Sequence, residues 1–119
     1  MDNIAELSRS EAIARLNDRC RQGFDGTARI VVTRTCLATL SNDSLASQAI
    51  AQARLLQEIR HHRFADNDRL RDRGDFLIDD VRVHFVIDYY DLALEYGSED
   101  PADASVTRRV LTIMLREDL

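Results

Sequence analysis

The sequence predicts a small α+β domain, with two helices packed on one face of a mainly antiparallel four-stranded sheet in the order α-β-α-β-β-β. Three observations carry that expectation. Two β-rich runs meet across Asp79 and Asp80, a segment of helical period lies between residues 42 and 60, and "RRVLTIMLRE" near the C-terminus is apolar on both faces. At 119 residues the chain fits a single domain, residues 1–119, and a domain of this size buries roughly two-thirds of its unfolded surface.

The elements follow in order. Ser8-x-x-Glu11 is a capping-box pattern, so the first helix is expected to start there. Ile13, Leu16 and Cys20 recur at helical spacing while Arg15, Asp18, Arg19 and Arg21 point elsewhere. Gly23 is placed to end the helix in a left-handed conformation, with Phe24 packed beneath it. Ile30, Val31, Val32 and Thr33 suit a strand. Asn42 or Asp43 can cap a second helix with an apolar stripe at Leu45, Ala49, Ala53, Leu56 and Ile59.

"HHRFADNDRLRDRGD" reads as a long connection closed by Gly74. A two-residue turn at Asp79 and Asp80 would set Ile78 opposite Val81 and Phe76 opposite Val83. The same apolar face continues through Phe85, Ile87 and Tyr89, which leaves Leu77, Arg82, His84, Val86, Asp88 and Tyr90 on a mixed, wetter face. "RRVLTIMLRE" is placed as a central strand, with a helix as the alternative.

No window approaches the roughly 18 uncharged apolar residues of a membrane span, and the N-terminus lacks a signal-peptide core, so a cytoplasmic location is expected. Cys20 and Cys36 read as small core hydrophobes. All 16 basic residues are arginine. Residues 1–73 carry a net charge of +2 and residues 74–119 a net of −7, so the acidity belongs to the C-terminal third.

"IDYYD" at 87–91, "YGSEDPAD" at 96–103 and "TRRVLTIML" at 107–115 resemble the closing signature of a family of short bacterial proteins labelled as domain of unknown function 3768. "ARLNDRCRQ" at 14–22 and "VVTRTCLATL" at 31–40 look like its opening. Asp80 stands where the family usually has glycine, Phe85 and Val86 where it has an aromatic-lysine pair, and Asp75 and Phe76 remain of a His-Asp-Phe-Gly element. The resemblance implies a protein of the kind often encoded on plasmids and other mobile elements.

The chemistry is sparse. Asp88 and Asp91 are three apart and project from opposite faces of a continuing strand, so they cannot share a proton. His84 and Asp88 share the wet face and form the best candidate for a small hydrolase or transferase. "DNDRLRD" opens like a calcium loop, but Leu70, Arg71 and Leu77 occupy positions that need a ligand, a glycine and a glutamate. The adjacent His61 and His62 do not make a zinc site. No motif supplies a nucleophile, a phosphate cradle or a cofactor site, so no catalytic residue, metal or cofactor is expected. Aspartates interleaved among Arg54–Arg73 cancel most of the field that direct nucleic-acid binding would need.

What stands out is the acidity of "IDYYDLALEYGSEDPAD", which contains no basic residue. Pro101, Asp100 and Asp103 suit a loop on local grounds. Asp79, Asp80, Asp88, Asp91, Glu95, Glu99, Asp100 and Asp103 together are expected to bind a protein partner with a basic surface. The functional expectation is therefore a small acidic, non-enzymatic binding protein, of the anti-restriction or anti-CRISPR type that inhibits a nucleic-acid-binding host complex. A housekeeping adaptor and the His84–Asp88 enzyme stand as alternatives.

Overall fold

The computed structural model describes residues 2–119. The chain runs through α1 (Asp2–Arg21), β1 (Arg29–Val32), α2 (Arg34–Leu40), α3 (Leu45–Arg60), β2 (Arg73–Ile78), β3 (Val81–Tyr90) and β4 (Arg108–Leu115), then a 3-10 turn at Arg116–Asp118. The strands form one sheet in the spatial order β1-β4-β3-β2. β3 is antiparallel to both β2 and β4, whereas β1 pairs with β4 in parallel. The domain is α+β with a four-stranded, mainly antiparallel sheet as expected, but among the described residues it has three helices rather than two, and β1 joins the sheet in parallel, so the order is not the simpler α-β-α-β-β-β.

The hairpin follows its alternation. Asp79 and Asp80 both take the left-handed region, at φ +50° and +63°, as a two-residue turn matched to strand twist requires. Ile78 lies opposite Val81 and Phe76 opposite Val83. Across β3 and β4, Phe85 faces Ile113 and Ile87 faces Leu111. Cys20 from α1, Cys36 from α2, and Leu55 and Ile59 from α3 close over this face to form the core. Each large apolar side chain buried here contributes about 1.5–3 kcal/mol relative to exposure. Both cysteines are free, and burial pushes the Cys20 thiol up to about 11, which makes it a poor nucleophile.

The opposite face carries His84, Val86, Asp88 and Tyr90 from β3 beside Val110, Thr112 and Met114 from β4. Most of these residues are half-buried by their neighbours, while Asp88 is exposed. Arg116, in the closing 3-10 turn, reaches back to Asp75 at 3.4 Å.

Several local expectations are corrected. α1 begins at Asp2, so Ser8-x-x-Glu11 lies inside a helix rather than at its start; the capping pattern is a local signal and does not interrupt the turns that precede it. Gly23 does end α1 at φ +83°, with Gly23 N–H bonded to Cys20 O and Phe24 N–H to Arg19 O. Phe24 itself is exposed and packs beneath nothing. Thr33 is not a strand residue: it caps the unanticipated α2 by accepting from Cys36 N–H at 3.3 Å. Ser44, rather than Asn42 or Asp43, caps α3. The buried stripe of α3 is Ala51, Leu55 and Ile59, whereas Leu45, Ala49 and Ala53 face outward.

Arg21, expected on the surface, is buried. Its guanidinium lies 4.6 Å from the Phe64 ring centroid, donates to Ile59 O at 3.2 Å and pairs with Asp18. Arg71 grips the same Asp18 carboxylate through Nε at 3.0 Å and Nη2 at 2.8 Å. Burial pushes the Asp18 carboxyl up, but the bonds from Arg71 and Arg21 outweigh it and the net shift is down. His62 and Phe64 meet Phe85 edge-on, so the connection after α3 is pinned from both sides. Gly74 belongs to β2, and a Cβ there would come within 2.6 Å of His62 Nε2.

Candidate functional site

The eight acidic candidates do not form one rim. Asp79 and Asp80 occupy the hairpin turn, while Asp91, Glu95, Glu99, Asp100 and Asp103 lie beyond the other end of β3. Ten residues of strand separate the two groups by about 30 Å. Asp88 is on β3, an inner strand, where it projects from the open face opposite Val110. Asp79 is also committed, because Arg54 holds both of its oxygens at 2.7 and 2.8 Å and keeps its carboxyl below the usual range.

His84 and Asp88 are not brought together. Four positions along one strand place them about 13 Å apart. His84 Nδ1 instead meets Asp75 Oδ1 at 2.9 Å, the cross-strand neighbour set by the hairpin register. Arg116 shares that carboxylate, which completes a local His-Asp-Arg cluster against the open face.

Several of the loop acids serve the loop itself. Asp91 Oδ1 accepts from Glu95 N–H at 2.9 Å, and Asp91 N–H donates to Tyr96 O at 2.8 Å. Asp100 accepts from Ala102 N–H and, at 3.3 Å, from Arg9. Asp103 accepts from the N–H and hydroxyl of Ser105, bonds that lower its pKa. The buried Thr107 hydroxyl donates to Asp100 O at 2.8 Å and lies 2.6 Å from the Ser98 hydroxyl.

The anchor beneath this loop is Arg109, 2% exposed at the start of β4. Its Nε donates to Asn17 Oδ1 at 2.8 Å and its Nη2 to Pro101 O at 2.7 Å, with the guanidinium 5.0 Å from the Tyr89 ring centroid. Asn17 Nδ2 in turn donates to Tyr89 Oη at 2.9 Å and to Leu70 O at 2.8 Å. Tyr89 Oη donates to the buried Asp72 at 3.2 Å. Burial pushes the Tyr89 hydroxyl up to about 12 and pulls Arg109 down from the usual arginine range.

Four segments far apart in sequence thus converge on one polar network, and the sequence reading missed it. A signal was present: adjacent residues on a strand point to opposite faces, so one of Arg108 and Arg109 had to enter the core side.

The outer side of the same loop is different. Leu92, Tyr96 and Val106 are exposed, Tyr96 at 73%, and line a groove of about 420 Å³ with Asp91, Gly97 and Glu99. Among the described residues no arginine lies within ion-pair distance of Asp88, Asp91, Glu95, Glu99 or Asp103. The outer surface therefore joins apolar and aromatic area to uncompensated negative charge. Among the described residues no helix is long and apolar enough to cross a membrane.

No curated protein and no solved structure matches the chain. A family model described as "Protein of unknown function (DUF3768)" matches residues 33–118, well over half of the sequence. The match takes in Tyr89, Pro101 and Arg109, while Asn17 and the opening segment 14–22 precede it. The chain belongs to this family, the one suggested by the signature that the network around Arg109 ties together.

Proposed function

We propose that the protein is a non-catalytic binding domain that docks a basic, partly apolar segment of a partner protein on the outer side of its acidic loop. The observation that carries this reading is the groove at Leu92, Tyr96 and Val106, bordered by Asp91 and Glu99 and flanked by Glu95, with no arginine paired to any of these acids among the described residues. Exposed aromatic area beside unpaired charge suits an arginine or lysine whose stem lies on the ring while its head meets a carboxylate. Asp79 and Asp80 lie too far away to share that contact, and Asp100 and Asp103 are tied up within the loop.

Blocking a nucleic-acid-binding host complex is the use of such a surface that the family resemblance suggests, since those complexes bind phosphates through arginine and lysine. The test is capture from a bacterial lysate by the wild type and by a Glu95→Arg, Glu99→Arg, Tyr96→Ala variant. All three side chains are exposed, so folding is expected to be unchanged. A captured partner must then bind the purified wild type directly and bind the variant at least about tenfold more weakly, which corresponds to about 1.4 kcal/mol. Equal binding by the two proteins would overturn the proposal.

A further inference from the structure

The inner side of the loop forms a second cavity, separate from the outer groove. It is the more enclosed of the two, holds about 240 Å³, and is lined in part by Leu16, Arg19, Asp25, Thr27, Ala104 and Arg109. That is roughly the liquid volume of eight waters, enough for a small organic ion. The feature that calls for an occupant is Arg109. A guanidinium buried to 2% exposure normally has a carboxylate or phosphate partner, because removing the charge from water is costly. The partners of Arg109 are all uncharged: the Asn17 carbonyl, the Pro101 carbonyl and the Tyr89 ring. No carboxylate among the described residues lies within ion-pair distance of it, and the charge of Asp25, on the same cavity, acts on it only from farther off. Nε and Nη2 are engaged, which leaves Nη1, among the described residues, without a protein acceptor.

The remaining lining narrows the chemistry. Arg19 adds a second positive charge, and Asp25, its Oδ1 held by the Thr27 N–H and hydroxyl, adds one negative charge. Two cations and one anion favour a guest of charge −1 and disfavour one of charge −2. Leu16 and Ala104 supply an apolar wall for a short hydrocarbon tail. We infer that this cavity is a binding site for a small monocarboxylate, whose carboxylate meets Arg109 and whose tail lies against Leu16 and Ala104. With Nε and Nη2 held by Asn17 and Pro101, the contact is a charge-assisted hydrogen bond from Nη1 to the carboxylate.

The test uses the full chain and sodium propionate as the probe, with the thermal unfolding midpoint as readout. A ligand that binds the folded state alone raises the midpoint with its concentration. Propionate is expected to raise it by a few degrees over chloride at matched ionic strength, while phosphate gives a smaller rise. Ala104→Phe, which fills the cavity from an exposed position, is expected to abolish the shift. Arg19→Gln, an exposed residue outside the Arg109 anchor, is expected to weaken propionate binding several-fold and serves if the Phe variant does not fold. No shift with propionate, or the same shift in both variants as in the wild type, would overturn the site. A phosphate effect as large as that of propionate would overturn the monocarboxylate assignment.

Discussion

Glu99 and Asp100 are neighbours with the same charge, yet only Asp100 is bonded into the loop. The half-exposed Asp100 carboxylate bonds to Ala102 N–H and Arg9, while on the inner side its carbonyl takes the Thr107 hydroxyl and Arg109 holds the next carbonyl, that of Pro101. On the outer side, Glu99 and Glu95 lack an arginine partner among the described residues and stand beside exposed Leu92 and Tyr96. The difference teaches that acidity read from sequence mixes two physical roles. Carboxylates that satisfy backbone donors are part of the fold, as Asp91 is even at the border of the groove, and those left facing water with apolar neighbours, Glu95 and Glu99, are available to a partner.

The comparison can be broken most forcefully at Arg109. Arg109→Met keeps the apolar stem but leaves Asn17 Oδ1 and Pro101 O without their donor, and is expected to cost about 3–5 kcal/mol in chemical denaturation. Wild-type stability in this variant would mean that the inner side is not anchored as described. Thr107→Val removes the bonds to Asp100 O and the Ser98 hydroxyl and should cost about 1–2 kcal/mol in the same assay.

A pH titration sharpens the inner side further. The folded pKa of Tyr89, about 12, lies above its unfolded value of 10.0, so folding favours the protonated phenol. This contribution is fully present below pH 10.0 and is lost as pH rises toward about 12. Stability against pH should therefore fall more steeply across that window in the wild type than in Tyr89→Phe. The smallest effect belongs to the outer side: Glu95→Gln with Glu99→Gln should change stability by no more than about 0.5 kcal/mol, because neither side chain is held by the fold.

How much of this was legible depended on whether the signal was local. The β2–β3 hairpin was, because strict alternation on both sides of Asp79 and Asp80 fixes register and face together. The central place of β4 was also legible, from a run apolar on both sides. α2 was hidden because Thr33, β-branched and preceded by Ile-Val-Val, looks like strand while acting as a helix cap. The stripe of α3 was misplaced because alanine at 49 and 53 mimics a core face that Ala51, Leu55 and Ile59 in fact supply.

The loop-building role of Asp100 and Asp103 was legible on local grounds, and both accept backbone N–H groups two residues on; what lay beyond local reading was the anchor beneath them. It depends on Asn17, Asp72, Tyr89 and Arg109, from four separate segments, meeting under one loop. The pairing of His84 with Asp75 follows from the hairpin register, which sets the two residues opposite each other, whereas Asp88 lies four positions along the same strand.

The central claim, that the outer acids bind and the inner acids build, is tested most directly by the ionic-strength dependence of association. The probe is a labelled peptide of alternating arginine and leucine, and the proteins are the wild type, Glu95→Gln with Glu99→Gln, and Asp79→Asn with Asp80→Asn. Charges at an interface steer encounter and are screened within about 10 Å at 0.1 M salt, so the wild-type rate should fall as salt rises. The account predicts a slower rate and a shallower salt slope for the Glu95 and Glu99 variant, with the Asp79 and Asp80 variant matching the wild type. Equal salt slopes in all three proteins, or a loss confined to the Asp79 and Asp80 variant, would contradict it.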